Sequence, residues 1–451
     1  MEQNIQLARH GLFDARVPRY TSYPTSPHFS ADVGPETFVN WIFAIPEGRQ
    51  ISLYVHVPFC RRLCWFCACR TQGTTSDAPV RAYLEVLKAE IELLRATLPK
   101  GVTLERLHWG GGTPTLLAPD MMTELAEAIY SVAPLAPDGE FSVEIDPNEI
   151  DDARLDALAK AGMNRASIGV QDFDPEIQKT IGREQSYELT ESAITAIRAR
   201  GIASLNADIL YGLPHQTPEK ITQSVQKLLS LSPDRVALYG YAHVPWMARR
   251  QNMIPEEALP SPQERLALFE VARKLFEWDG YTAVGIDHFA LPSDGLSIAQ
   301  KAGRLRRNFQ GYTEDTSDVL IGLGASSISR FPQGYTQNAA ATSQHIAAIR
   351  GGNFSTKKGH SFSANDKLRG RLIEVLMCDF KIDTGQIAKE FGLQKAEILL
   401  LIEPVASQFS DVVTLSNGVL EIPPAFRPLT RVIARAFDAY ALSKTGHSSA
   451  V

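Results

Sequence analysis

Four of the five cysteines of this 451-residue chain fall within ten residues, in the run HVPFCRRLCWFCACR: Cys60, Cys64, Cys67 and Cys69. The first three have the spacing C-x3-C-x2-C, which lets one short loop point three thiolates at a single object. A cubane iron–sulfur cluster takes one thiolate per iron, so a fully tied [4Fe-4S] cluster uses four. Three ligands leave one iron open, able to chelate a small molecule and pass it an electron. That device cleaves S-adenosylmethionine to a carbon radical. A structural zinc site instead combines two C-x2-C or His-containing pairs some distance apart, and the sequence holds no second pair. Cys378 stands alone in an apolar helical stretch and reads as core. A disulfide framework does not suit a chain of this length without a secretory signal.

The elements that must position this loop follow from periodicity. Short β-branched runs at 51–57, 104–109, 141–145, 165–170, 204–210 and 235–241 alternate with amphipathic segments near 79–97, 119–132, 151–161, 186–200 and 217–231, with another at 262–279. Strands separated by helices imply parallel βα units. Six such units predict an α/β fold, a partial (β/α)6 barrel with its chemistry at the C-terminal ends of the strands. In the first strand, Tyr54 and His56 share one face and Val55 and Val57 the other. Phe66 or Trp65 beside the third cysteine offers an aromatic surface for adenine. The second strand runs into Gly110-Gly111-Gly112-Thr113-Pro114, where glycines remove the Cβ atoms that keep a ligand from the backbone. It lacks the G-K-[ST] ending of a phosphate-binding loop. Glu144 and Ser142 share a face at the end of the third strand; Gln171-Asp172 and Asn206-Ala207-Asp208 follow on the fourth and fifth. A row of inward polar residues after consecutive strands points to a polar ligand within the barrel.

Composition bounds the alternatives. With 44% apolar residues the chain can bury one large core and a smaller one. The opening MEQNIQLARHGLFDARV carries no h-region, and no apolar run is long enough to cross a bilayer. Together with oxygen-sensitive thiolates, this gives the expectation of a reducing cytoplasm and no membrane partner. A net charge of -6 argues against a nucleic-acid partner. An anionic substrate must be met by local arginines.

Taken with PRYTSYPT at 18–25, HWGGGTPT at 108–115, SVEIDP at 142–147, IGVQDF at 168–173, NADILYGLP at 206–214, RNFQGYT at 307–313 and IGLGASSIS at 321–329, the cysteine run carries a family resemblance over nearly the whole chain. The chain resembles the oxygen-independent coproporphyrinogen III oxidases (dehydrogenases), radical S-adenosylmethionine oxidoreductases of haem biosynthesis. The C-x3-C-x2-C spacing is shared by the wider superfamily; PRYTSYPT, Cys69 and RNFQGYT are the more selective features. Ala68 stands where glycine is common.

The resemblance implies that Cys60, Cys64 and Cys67 ligate a [4Fe-4S] cluster. It implies that Tyr54, Phe66, Gly111, Glu144 and Ile328 contact one S-adenosyl-L-methionine. Gly112, Thr113, Gln171, Arg183, Asp208 and Ala242 would contact a second. Cys69 would be a required non-ligand near the cluster, and Phe309 and Gln310 would lie beside the substrate cavity. The implied reaction is oxidative decarboxylation of two propionates of coproporphyrinogen III to vinyl groups, giving protoporphyrinogen IX. An electron donor such as flavodoxin or ferredoxin and an unnamed electron acceptor are implied as partners, with the chain a monomer. Arg304, Arg306 and Arg307, with Arg19, are candidate cations for a tetracarboxylate; the alternative for the cluster is a solvated helix face. Haem-binding chaperones and haem-degrading methyltransferases are related alternatives; the chaperones typically lack the fourth cysteine and PRYTSYPT.

The expected organisation is an irregular segment at 1–40 near the active site, a barrel with a substrate-side extension at 41–350, a Gly-, Ser- and Lys-rich linker at 351–363, and a smaller, mainly helical C-terminal domain at 364–451. LRGRLIEVLMCDF and TGQIAKEFGL suggest a winged-helix-like shape. Asp383, Lys389 and Glu390 are mixed rather than basic, which favours a cover over the barrel mouth above DNA binding.

Overall fold

The computed structural model describes residues 2–441 and 448–451. The chain divides into two compact units. One is formed by Phe29–Leu259 with Ser317–Ser361, the other by Met1–His28, Pro260–Thr316 and Phe362–Val451.

In the first unit six strands run parallel and pair in sequence order: β1 (Gln50–Val57), β2 (Thr103–Gly111), β3 (Leu135–Ile145), β4 (Arg165–Gln171), β5 (Ser204–Tyr211) and β6 (Arg235–Gly240). A seventh, β7 (Leu320–Leu323), pairs parallel with β1 on the side away from β2. From it β8 (Ile328–Phe331), β9 (Gly334–Asn338) and β10 (Thr356–Ser361) continue as an antiparallel meander. Between successive parallel strands lie α1 (Ala78–Thr97), α2 (Pro119–Val132), α3 (Asp152–Lys160), α4 (Pro175–Thr180) with α5 (Tyr187–Ala199), and α6 (Pro218–Ser230). This is the expected α/β partial barrel.

Four of these helices begin where short polar side chains satisfy their free N–H groups. Asp151, Asp174, Ser186 and Thr217 cap α3, α4, α5 and α6 by accepting from Arg154, from Glu176 and Ile177, from Leu189 and from Lys220. Period-two alternation then divides the strands. Val55, Val57, Leu107, Trp109, Val143, Ile168 and Ile209 are completely buried, as residues facing the helices must be. The opposite face is polar, and register sets its rows: Tyr54 beside His108 beside Ser142, and Glu144 beside Ser167 beside Asn206.

The second unit packs helices Pro262–Trp278, Ala364–Asp379, Thr384–Phe391, Lys395–Gln408 and Thr430–Arg435 with a small antiparallel sheet of Lys381–Asp383, Val419–Glu421 and Thr414–Ser416. Leu372, Leu376, Ile382, Ile398, Ile402, Leu420 and Ile433 form its core. Cys378 is buried in an apolar cluster with Val284, Leu296 and Tyr312.

Three boundaries differ from expectation. The stretch 351–363 is not a free linker: Thr356–Ser361 is strand β10, in which Thr356 and Gly359 are buried and Lys357 is exposed. Polar edge strands look like linkers by composition because charge on an edge deters further pairing. Residues 1–40 are not uniformly irregular, since Glu2–Arg9 and Pro35–Phe43 are helices and the segment is shared between the two units. Residues 260–316 cluster with the C-terminal residues in one compact unit. Among the described residues no helix is long and apolar enough to cross a membrane.

Candidate active site

The cysteine loop leaves the C-terminal end of β1 and is closed at its base. Phe59–Cys60 pairs with Gln72–Gly73, Gln72 N–H donates to Pro58 O (2.8 Å) and Thr74 N–H donates to Cys60 O (3.0 Å). The loop is fastened to the barrel where Trp65 N–H donates to Ile181 O (2.9 Å). The Trp65 ring lies about the place a side chain on Gly182 would occupy, with the nearest ring atoms 3.0 Å from that Cβ position. Phe66 is half-buried against the apolar cluster of Ile177, Ile181, Leu213 and Tyr241.

All five cysteines are free thiols. Burial raises the Cys64 thiol although Arg183 Nη1 lies 3.7 Å from its sulfur. Burial also raises Cys60, against hydrogen bonds from the hydroxyls of Thr113 and Thr71. Cys67 is lowered: the Cys69 thiol and N–H donate to its sulfur, and the charges of Arg250 and Arg183 add to this against burial. The Cys69 thiol, donating to Cys67, is correspondingly raised.

This donor set fits an anionic cubane. Three half-buried thiols on one loop, two guanidinium charges facing them and an N–H aimed at Cys67 supply ligands and charge balance for thiolates. Among the described residues no three His, Cys, Asp or Glu converge as they would on a single metal ion. A cubane does not need that, because each thiolate binds a different iron.

Beside the loop, β2 ends in the glycine turn. Gly111 has φ +116°, and a Cβ there would lie 2.6 Å from His56 Nδ1. A Cβ on Gly112 would lie 2.4 Å from Phe59 O. Only glycine lets this backbone pass so close to β1 and the loop. Gly111 N–H donates to Glu144 Oε2 (3.0 Å), and His108 Nε2 lies 3.4 Å from Glu144 Oε1. His108 also bonds Ser142 and stacks on the Tyr54 ring, with centroids 5.7 Å apart. Tyr54 OH bonds His56 Nδ1 (3.0 Å). Burial opposes charge on Glu144, but its bond to His108, the His108 charge and the Gly111 N–H together hold it below the usual carboxylate range. Gly322 on β7 lies beside Tyr54, and the Ile328 carbonyl lies over Gly322. Tyr54, Gly111, Glu144 and Ile328 thus come from distant segments to neighbouring positions.

The second set begins beside the first, where Gly112 and Thr113 follow Gly111 and Gly112 N–H donates to Val57 O (2.8 Å), and continues toward and past the ends of β4 to β6. Gln171 ends β4 at φ +68°. Arg183 Nη2 donates to Gly169 O (2.9 Å) and Gln185 Oε1 (3.0 Å), and Nη1 lies 3.3 Å from Asp146 Oδ2. Its Nε is buried without a partner. Asp208 accepts from Asn206 Nδ2 (2.9 Å). Thr113 N–H donates to Phe59 O (2.8 Å), and Ala242 O accepts from Gln251 Nε2 (3.0 Å). Asp172 is structural: fully buried, it accepts from Ser224 Oγ (2.6 Å), Gln216 Nε2 (2.8 Å) and Asp174 N–H (2.7 Å).

Phe309 and Gln310 belong to the other unit, where they form the turn between Arg306–Asn308 and Gly311–Thr313. Two of the arginines expected to bind carboxylates are engaged within that unit. Arg306 pairs with Glu374 (3.2 Å). Arg307 is buried over the Tyr312 ring (4.4 Å), near Asp287 (3.9 Å). Neither is a solvated helix face, because the segment is a hairpin strand. Arg19 lies in the same unit, its carbonyl accepting from Arg307 Nη2 (3.4 Å). Sequence reasoning passed over His108, Asp146, Arg250 and Gln251; only His108, inward on β2 by period two, carried a usable signal.

The sequence model of the Radical SAM superfamily matches residues 54–228. The oxygen-independent coproporphyrinogen III oxidase of Paracoccus denitrificans is 66% identical over 451 residues, all of both chains. That of Cereibacter sphaeroides is 61% identical over 96% of each chain, and that of Escherichia coli 38% over 95% of this chain and 93% of its own. A solved structure of the Escherichia coli coproporphyrinogen III oxidase, described as a radical SAM enzyme, superposes with a TM-score of 0.90 at 34% identity, covering 95% of this chain and all of that one. Full-length similarity at this level, on a fold that gathers the cysteine loop and the glycine turn, places the chain in a family: it belongs to the oxygen-independent coproporphyrinogen III oxidases of the radical SAM superfamily.

Proposed function

We propose that this protein catalyses the oxygen-independent oxidative decarboxylation of two propionate side chains of coproporphyrinogen III to vinyl groups, giving protoporphyrinogen IX. The observation that carries the proposal is the clasp of Glu144 on Gly111 beside a three-cysteine loop, in a chain two-thirds identical to a full-length coproporphyrinogen III oxidase. Each propionate loses one hydrogen atom, carbon dioxide and one electron.

Cys60, Cys64 and Cys67 hold the [4Fe-4S] cluster. When bound, the cluster and S-adenosyl-L-methionine supply a carbon-centred radical able to take hydrogen from the propionate β-carbon. The residues of the chain bind and orient. Glu144, kept ionised, offers a carboxylate to an ammonium group or ribose hydroxyls, and its bond to Gly111 N–H fixes that carboxylate against the glycine turn. Tyr54, Phe66 and Ile328 provide the remaining surface for the first S-adenosylmethionine. Gly112, Thr113, Gln171, Arg183, Asp208 and Ala242 line the place for a second. Arg183 spans Cys64 and Asp146, so it links the cluster side to that subsite. Cys69 serves the cluster without ligating it, and Phe309 and Gln310 meet the substrate. A low-potential protein donor, an electron acceptor, a cytoplasmic setting and a monomeric state complete the proposal.

Coproporphyrinogen III deuterated at the propionate β-carbons tests it. Deuterium is expected in the 5′-deoxyadenosine formed by reduced protein under anaerobic conditions. Product formed with no deuterium transfer contradicts the assignment.

A further inference from the structure

The turn after β6 holds the cysteine loop from outside the residues assigned so far. Gln251, in the short 3-10 segment Arg249–Met253, is completely buried. Its Oε1 accepts Val244 N–H (2.6 Å), which fixes which way the amide faces. Its Nε2 therefore donates twice, to Phe66 O (2.6 Å) and to Ala242 O (3.0 Å). The next residue back, Arg250, donates from Nη2 to Cys69 O (3.0 Å) and Thr71 Oγ1 (3.0 Å). Thr71 in turn bonds the Cys60 side chain. Consecutive residues thus grip the loop on both sides of Cys67–Cys69.

From these bonds we infer that Arg250 and Gln251 are positioning residues, a clamp that sets the cysteine loop against the end of β6 and so fixes the cluster relative to Ala242. The inference rests on the cluster-bearing function proposed above and names residues of this chain that act on that site through others. The loop from Arg61 to Thr71 makes no strand or helix of its own; inside it Thr71 N–H donates to Cys69 O (2.9 Å) and Cys67 N–H to Cys64 O (3.4 Å), while Phe66 O and a second bond at Cys69 O take donors from the turn after β6. Gln251 supplies them without charge in a closed pocket. Arg250 supplies them with charge, and its guanidinium joins Arg183 in offsetting the negative charge of thiolates at Cys67. Because one amide group bonds both Phe66 and Ala242, a shift of the loop moves the adenine-facing aromatic and the second subsite together.

The test uses Gln251→Leu, Arg250→Met and Arg250→Lys in the full chain. In apoprotein, alkylation of Cys67 by iodoacetamide, followed by peptide mass spectrometry, reads loop order with no cluster present. In reconstituted protein, iron release to a chelator and the change in the reduced-cluster electron paramagnetic resonance spectrum on adding S-adenosylmethionine read the clamp directly. Loss of an outer partner to a metal site costs about 10- to 100-fold in retention. That range is expected for iron release from Gln251→Leu, with a smaller rise for Arg250→Met and partial recovery in Arg250→Lys. Arg250→Met also withdraws a charge that favours the Cys67 thiolate, so alkylation is compared as the high-pH limiting rate of the thiolate. That rate should be faster in Gln251→Leu and Arg250→Met than in the parent, with the thermal midpoint of Arg250→Met unchanged. If Gln251→Leu fails to fold, the two Arg250 variants decide. Parent-like alkylation and iron release in Arg250→Met overturn the clamp. Failure of the parent itself to take up a cluster refutes the function instead, and the apoprotein alkylation still decides the clamp.

Discussion

The Glu144 carboxylate receives the backbone N–H of Gly111 at 3.0 Å, joining the end of β3 to the turn that ends β2. The bond depends on a backbone shape that only glycine supplies, since Gly111 sits at φ +116° with no room for a Cβ beside His56. It orients the carboxylate, and it is one of the interactions that keep Glu144 ionised.

Gly111→Ala should therefore damage binding and fold together. Left-handed strain costs about 1–3 kcal/mol, and the new Cβ would meet the His56 ring at 2.6 Å unless that ring moves. A lower thermal midpoint and loss of S-adenosylmethionine binding are expected. A parent-like midpoint by calorimetry with intact binding would contradict the fit.

Glu144→Gln tests the charge apart from the hydrogen bond, because an amide oxygen still accepts from Gly111. The cluster spectrum and thermal midpoint should be retained while S-adenosylmethionine affinity falls roughly tenfold, the scale of one charge-assisted bond. Unchanged affinity by equilibrium dialysis would remove Glu144 from the ligand site.

The cysteines separate by role. Cys64→Ala should lose the cluster outright, read by iron and sulfide analysis and the visible spectrum. Cys69→Ser should keep the cluster and lose turnover. An active Cys69→Ser protein would show that its raised thiol, donating to Cys67, is dispensable.

A pH effect follows from a buried pair behind β7. Glu90 is 1% exposed and accepts from Gly324 N–H (2.8 Å) and Asn338 Nδ2 (3.0 Å); His345, fully buried, lies 3.6 Å away. Burial pushes Glu90 from its ordinary 4.5 up to about 8 and His345 from 6.5 down to about 4. The native Glu90 binds more protons than the unfolded chain between pH 4.5 and 8, so its contribution is full below 4.5 and is lost as pH rises through 8. His345 acts oppositely, but only between 4 and 6.5. From pH 6.5 to 8 Glu90 lowers apoprotein stability while Cys67, held at about 6 against its ordinary 9, raises it, so the decline due to Glu90 is read as the difference between the parent and a Glu90 variant. Urea unfolding of Glu90→Gln should lose that decline; an identical slope in both proteins would show that Glu90 is already ionised.

Much of the site was legible because its signals are local. Tyr54 and His56 fall opposite Val55 and Val57 by period two, and the structure buries the valines completely while stacking Tyr54 on His108. The six strands were readable for the same reason. What escaped depends on partners far away in sequence. Gln251 carries no charge and no periodicity, and its importance lies in carbonyls at Phe66 and Ala242. The arginines at 304–307 look like a carboxylate cradle until Glu374 and Tyr312 are seen to engage two of them. Strand β10 has the composition of a linker, and only its antiparallel pairing with β9 reveals it.

The most direct measurement is an anaerobic assay of reconstituted protein with coproporphyrinogen III, S-adenosylmethionine, a reductant and a cell extract supplying the electron acceptor. Product is read as protoporphyrin fluorescence after oxidation. Protoporphyrin that forms only when S-adenosylmethionine is present is the expected result. Methionine and 5′-deoxyadenosine without porphyrin product would contradict the substrate assignment.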